Sequence, residues 1–169
     1  MLKKNKGFTL IEILIVVAII GIIGTLAVLA VNSARSKQRD ATRLANVRQL
    51  QSALEDYFNE TNQYPTGELM PLGDSSISRC LGTTGFHGDC STDSATIIRS
   101  VPNTYEAGLS GIVTCGNPAR NAFCYTQMKN GTSYVIHFEL ENGLSNVGLG
   151  VGVNCAIPGK MEAGICKEE

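Results

Sequence analysis

The chain has 169 residues, 43% of them apolar, no Trp and a formal net charge of −1. Loss of the first seven residues would remove three of its 14 Lys and Arg, leaving 11 bases against 15 acids and a net charge of −4. That balance speaks against nucleic acid as a partner, and the length allows one modest globular domain of roughly 100 residues beside any membrane segment.

The first element is an apolar run from Phe8 to Val31, 24 residues in which Glu12 is the only charge. As a helix it is roughly 36 Å long at about 1.5 Å per residue, enough to cross a bilayer. Lys3, Lys4 and Lys6 precede it with no acid among them, which predicts a cytoplasmic N-terminus and an exported remainder. A secretory signal peptide also joins a basic start to an apolar stretch, but its core is about 7 to 15 residues and ends at small residues. Glu12 is the odd feature, because an ordinary anchor has no use for an intramembrane acid.

From Thr25 to Tyr64 there is no Pro or Gly, and Ala, Leu, Gln, Arg and Glu are frequent, so one helix is expected to leave the membrane and run to about Asn59. Its outer part carries two patterns. Leu44, Val47, Leu50, Leu54, Tyr57 and Phe58 form a bulky apolar stripe at helical spacing. Ala27, Ala30, Ala34, Ala41 and Ala45 fall on the opposite face, and Ala18, Gly21 and Gly24 extend the small positions into the apolar run, where small residues let helices approach closely. The segment TNQYPTG ends the helix, because Pro65 disfavours helix at Tyr64 and Gly67 adds freedom.

Glu68 to Val101, rich in Gly, Ser, Thr and Asp, reads as an irregular connector. Beyond it, Asn130-Gly131 and Asn142-Gly143 mark turns beside strand-like stretches, the first of them a hairpin. In Ser133 to Leu140, the residues Tyr134, Ile136, Phe138 and Leu140 alternate with Val135, His137 and Glu139, giving one apolar face and one mixed face. The apolar face is expected to cover the helix stripe. The fold class is therefore α+β, with the outer half of a long N-terminal helix packed against a C-terminal antiparallel sheet.

All six cysteines, Cys80, Cys90, Cys115, Cys124, Cys155 and Cys166, lie on the exported side, where oxidation is permitted. No Cys-x-x-Cys occurs, and His87 and His137 have no zinc-type spacing. Six cysteines allow 15 pairings; the three local couples, 80–90, 115–124 and 155–166, each close a loop of about ten residues, and these are the expected disulfides. Asp89, Asp93, Glu139 and Glu141 could offer oxygens to calcium, but they lack EF-hand spacing and read as solvated surface acids. No other metal or cofactor is implied. Gly108-Leu109-Ser110-Gly111 lacks the spacing of a nucleophile elbow, and the glycines from Gly148 to Asn154 have no helix after them to receive a phosphate, so an anchored enzyme finds little support.

The stretch KGFTLIEILIVVAIIGII resembles the N-terminal motif of type IV pilins and of the pseudopilins of type II secretion: a basic leader, Gly7, Phe8, Thr9, Leu10, Ile11, Glu12, then an apolar helix. The likeness runs from Lys6 to about Tyr64. It implies cleavage by a prepilin peptidase between Gly7 and Phe8, N-methylation of Phe8, delivery by an inner-membrane assembly platform, and a homopolymer built through the N-terminal helices, with Glu12 an assembly residue. It implies a leader at 1–7, a membrane and filament-core half at 8–31, an outer helix half at 32–60 and a disulfide-containing globular domain at 61–169. Membrane lipid surrounds the helix before assembly, and the filament is then extracellular or periplasmic. Many pilins have a proline midway along the apolar helix; here there are only Gly21 and Gly24. Major pseudopilins often carry calcium in their C-terminal loops. A monomeric anchored binding module is the alternative of another class, and it leaves Glu12 unexplained.

Overall fold

The computed structural model describes residues 7–91, 95–103 and 109–166. Lys3, Lys4 and Lys6 of the expected leader, Asp93 and Gly108 lie outside the described residues. The chain divides into two compact units, Met1–Ser36 and Lys37–Glu169.

Helix α1 spans Leu10–Thr61 and is unbroken at Gly21 and Gly24. Ten strands follow among the described residues: β1 (Met70–Pro71), β2 (Cys80–Gly82), β3 (Gly85–His87), β4 (Thr96–Ile98), β5 (Thr114–Cys115), β6 (Arg120–Asn121), β7 (Cys124–Met128), β8 (Ser133–Leu140), β9 (Gly152–Ile157) and β10 (Lys160–Ala163). The main sheet has the order β1-β7-β8-β9-β10, and its pairs are antiparallel. The class is α+β with a pilin-like arrangement of one long N-terminal helix and a C-terminal antiparallel sheet.

The helix stripe and the strand alternation meet in one core. Val47, Leu50, Leu54 and Tyr57 of α1 and Tyr134, Ile136, Phe138 and Leu140 of β8 are all buried in it, with Leu44 and Phe58 packed at its edge. Just past the helix, the Tyr64-Pro65 turn is pinned to the β7–β8 hairpin. The Tyr64 amide donates to Gly131 O at 2.8 Å, and the Tyr125 hydroxyl donates to Pro65 O at 2.6 Å. The Tyr64 ring lies between Phe58 and Tyr134, 4.7 Å from each.

Two expectations are corrected. The connector from Glu68 to Val101 contains a three-stranded sheet, β3-β2-β4, whose strands of three residues are too short to show a period. The expected hairpin at Asn130-Gly131 joins β7 to β8: Met128 pairs with Ser133, and Lys129, Asn130 and Gly131 all have positive φ, of 50°, 54° and 92°. Asn142-Gly143 opens a long connection to β9, in which Gly143 has φ 70° and a Cβ would stand 2.7 Å from the Gly150 carbonyl carbon.

The second correction concerns the acids. Glu139 is 4% exposed, because the mixed face of β8 is covered too. Its carboxylate accepts from the Ser110 amide and hydroxyl, from the Ile112 amide at 3.2 Å and from Asn121 Nδ2 at 2.9 Å. Burial opposes its charge, but the bonds from Ser110, Asn121 and Ile112 outweigh burial and hold its carboxyl below the ordinary range. Glu141 accepts from Arg39 Nε at 2.7 Å and Nη2 at 2.6 Å, and from Arg43 Nη1 at 2.8 Å. The Arg39 bond is the chief cause of its lowered pKa; burial opposes it and Arg43 adds to it. Neither is a solvated surface acid.

Beside Glu141 lies Asp40, 0% exposed on α1. It accepts from Arg43 Nη1 at 3.0 Å, from the Glu141 amide at 2.8 Å and from the Asn142 amide at 2.7 Å. The helix is thus bolted to the end of β8 by ions as well as by apolar contact. Cys80–Cys90, Cys115–Cys124 and Cys155–Cys166 are disulfide-bonded.

Candidate processing and assembly segment

Residues 7–9 precede the helix, and every residue from Gly7 to Arg35 is exposed. Phe8 is 83% exposed. By length and composition α1 can cross a membrane, and a run of exposed Leu, Ile and Val on this scale requires an apolar surrounding.

The helix start is built by Thr9 and Glu12. The Thr9 amide donates to Glu12 Oε2 at 3.0 Å, the Thr9 hydroxyl donates to the same oxygen at 2.9 Å, and the Glu12 amide points back at Thr9 Oγ1 at 3.4 Å. Thr9 is the N-cap and Glu12 the N3 residue of a capping box, in which each side chain satisfies a backbone donor that the first turn leaves open. An acid in the first turn also faces the positive end of the helix dipole.

Glu12 therefore has a partner within its own chain, a role that reading it as an unpaired membrane charge misses. The signal was present, since Thr9-Leu10-Ile11-Glu12 has the Thr-x-x-Glu spacing of a capping box ahead of an apolar run. Phe8 lies outside the helix, one residue before the Thr9 cap. Both Thr9 bonds fall on Oε2. Among the described residues, no hydrogen bond reaches Oε1.

On the outer half of α1, Ala34, Ala41 and Ala45 are exposed, as are Ala27, Ala30, Ala18, Gly21 and Gly24 nearer the N-terminus. Of the acids considered for calcium, the three described ones have protein donors: Asp89, exposed, accepts from the Ser91 amide at 3.0 Å and hydroxyl at 2.7 Å, while Glu139 and Glu141 hold the bonds described above. Glu162 lies within 4.8 Å of the Cys155 and Cys166 sulfurs, but both sulfurs are spent on their disulfide.

Residues 2–28 match the prokaryotic N-terminal methylation motif, the prepilin-type signature of type IV pilins and pseudopilins. No curated protein and no solved structure shows significant similarity to the chain.

Proposed function

We propose that the chain, which bears the signature of pilin-like and pseudopilin proteins in general, is a structural subunit of a type IV pilus-like filament. The methylation motif carries this reading, and the bare apolar half of α1 supports it, since lipid before assembly and like helices after it would each cover that surface. A prepilin peptidase cuts between Gly7 and Phe8 and methylates Phe8. The N-terminus starts in the cytoplasm, the globular unit is exported with its three disulfides, and an inner-membrane platform moves the subunit into the polymer. Intact-mass measurement of membrane and filament fractions should find a chain that begins at methylated Phe8. A mature protein that retained Met1 to Gly7, or was cut near Val31, would overturn the assignment.

Glu12 serves assembly as well as the cap. Its Oε1 can accept from the amine of a neighbouring subunit while Oε2 keeps Thr9, so the contact costs the helix start nothing. Two substitutions separate the roles, because Gln also completes a capping box but carries no charge. Glu12→Gln should be inserted and cleaved normally yet enter filaments poorly, and Glu12→Leu should assemble no better. Full assembly by Glu12→Gln with failure of Glu12→Leu would assign Glu12 to the cap alone.

A pseudopilus subunit of type II secretion shares the motif. The pilus reading is favoured because two of the acids that could offer oxygens to calcium, Glu139 and Glu141, are committed to protein donors. Expression with each assembly machinery in turn decides between them: polymer only with the secretion platform would reverse the choice.

A further inference from the structure

The face of the main sheet that lies opposite Ile136 and Phe138 carries a row of side chains set by strand register. Cys124 of β7 stands opposite His137 of β8, His137 opposite Cys155 of β9, and Cys155 opposite Glu162 of β10. Residues paired in this way share a sheet face, with Cβ atoms about 4.5–5.5 Å apart. Four strands thus align a sulfur, an imidazole, a second sulfur and a carboxylate.

At one end of the row the donors converge. The Cys155 and Cys166 sulfurs and a Glu162 carboxylate oxygen lie within 4.8 Å of one another, the one such group of three among the described residues. Ligand atoms round a tetrahedral zinc, bonded at about 2.0–2.3 Å, are roughly 3.3–3.8 Å apart. The group is close to that size, and the chief change it needs is that its two bonded sulfurs part. His137 offers a fourth donor beside Cys155. Its Nε2 is closed off from solvent and has no hydrogen-bond partner among the described residues, a condition that buried polar atoms seldom show. Glu162 pairs with Lys160, whose side chain is 63% exposed, and a surface ion pair of this kind is easily given up.

We propose that reduction of Cys155–Cys166 opens a zinc site made by Cys155, Cys166, Glu162 and His137. A dithiol reductant supplies the electrons. One of its sulfurs attacks Cys166 and releases Cys155, its second sulfur then displaces Cys166 from the mixed disulfide, and the reductant leaves as its own disulfide. Its two electrons and two protons end on the two cysteines. Zinc binds both sulfurs as thiolates and releases those protons. Thiolate and imidazole ligands select zinc over calcium and magnesium, which take oxygen. Cys166 is half-buried and lines a pocket of about 500 Å³ together with Glu162 and Lys160, so reductant and ion share one entry. Cys115 and Cys124 are only 4% and 2% exposed. Two thiolates and a carboxylate exceed the zinc charge by one, and Lys160 stands beside them to offset it. The metal then ties the same two residues that the disulfide ties when oxidised, on either side of β10. The proposal is independent of the filament reading.

The test uses the full chain in detergent, reduced with a phosphine and titrated with Zn²⁺. Bound zinc is counted by elemental analysis, and the cysteines it shields are found by alkylation and peptide mapping. The oxidised chain should bind none; the reduced chain should bind one ion, with Cys155 and Cys166 alone shielded. Co²⁺ in place of zinc should show a thiolate-to-cobalt charge-transfer band. Cys155→Ser with Cys166→Ser should abolish binding although the other cysteines are reduced as well. Glu162→Gln and His137→Gln should each weaken it by about tenfold or more, since even the outer-shell partners of a metal matter that much. A reduced chain that binds no zinc would overturn the proposal. So would shielding of Cys80, Cys90, Cys115 or Cys124 instead, undiminished binding by the double serine variant, or wild-type affinity in Glu162→Gln or His137→Gln. The shielding map is read on the unsubstituted chain, so misfolding of a variant does not decide the outcome.

Discussion

The two halves of α1 are one helix with two uses of hydrophobicity. From Leu10 to Val31 nearly every side chain is Leu, Ile, Val or Ala, and all are exposed. From Asp40 to Tyr57 the apolar residues are fewer and confined to one stripe, and that stripe is buried to 8% exposure or less at Val47, Leu50, Ala53, Leu54 and Tyr57. A helix that is apolar all round cannot be satisfied by one sheet, whereas a striped one can. The difference teaches where stability resides: the outer half folds the globular unit, and the first half depends on what surrounds it.

The sharpest way to break that contrast is through the ions. Asp40→Ala takes from Arg43 one of its two carboxylate partners, leaves the Glu141 and Asn142 amides without their buried acceptor, and should destabilise the globular unit by about 3–5 kcal/mol in denaturant unfolding of the full chain in detergent. Leu14→Ala, in the apolar half, should leave the same transition unmoved. Equal effects would mean that the apolar half also holds the domain.

A slightly smaller effect is expected from Leu54→Ala, about 2–5 kcal/mol for a fully buried leucine. Ala41→Phe, on the free face, should change unfolding by no more than about 0.5 kcal/mol and yet reduce polymer. Calorimetry of both variants beside a sedimentation assay would show whether folding and assembly lie on opposite sides of the helix.

Acid should produce the smallest effect, and only in the globular unit. Burial lowers the pKa of His137 from its ordinary 6.5, so the native state binds fewer protons there than the unfolded chain. This contribution is present above about pH 6.5 and is lost as pH falls from there through the folded-state value. Glu139 and Glu141 are also lowered, so their contributions persist to lower pH, beginning to fade near the ordinary carboxylate value of about 4.3 and disappearing as pH falls through their folded-state values. The unfolding midpoint should therefore fall in two steps on acidification, and His137→Gln should remove the first. A first step that survives the substitution would assign it to another group.

What the sequence carries well are patterns repeated over long spans. The helix stripe recurs over several turns, and β8 alternates through eight residues, so both elements and their contact could be read. Strands of two or three residues have no such repetition, which is why the sheets formed by β2 to β6 were not legible. Charge was misleading for a different reason. Asp40 and Arg43 sit in a helical stretch full of polar residues and look solvated, because their partners Glu141 and Asn142 are about a hundred residues away in the chain. Glu139 looks exposed on its strand until the loop from Ser110 to Ile112 is laid over it. The capping box at Thr9 and Glu12 is legible in four residues.

The ionic bolt at Asp40 also has a mechanical meaning. If the chain polymerises as proposed, tension on the filament enters each globular unit along its helix, and the first side chains of that unit to meet a firm hold are Arg39, Asp40 and Arg43. Their partners, Glu141 and Asn142, directly follow β8, the strand in the middle of the five-stranded sheet. Load is therefore delivered to the strand with neighbours on both sides, where β7 and β9 share it through their hydrogen bonds, and the thin edge strands β1 and β10 are spared the first pull.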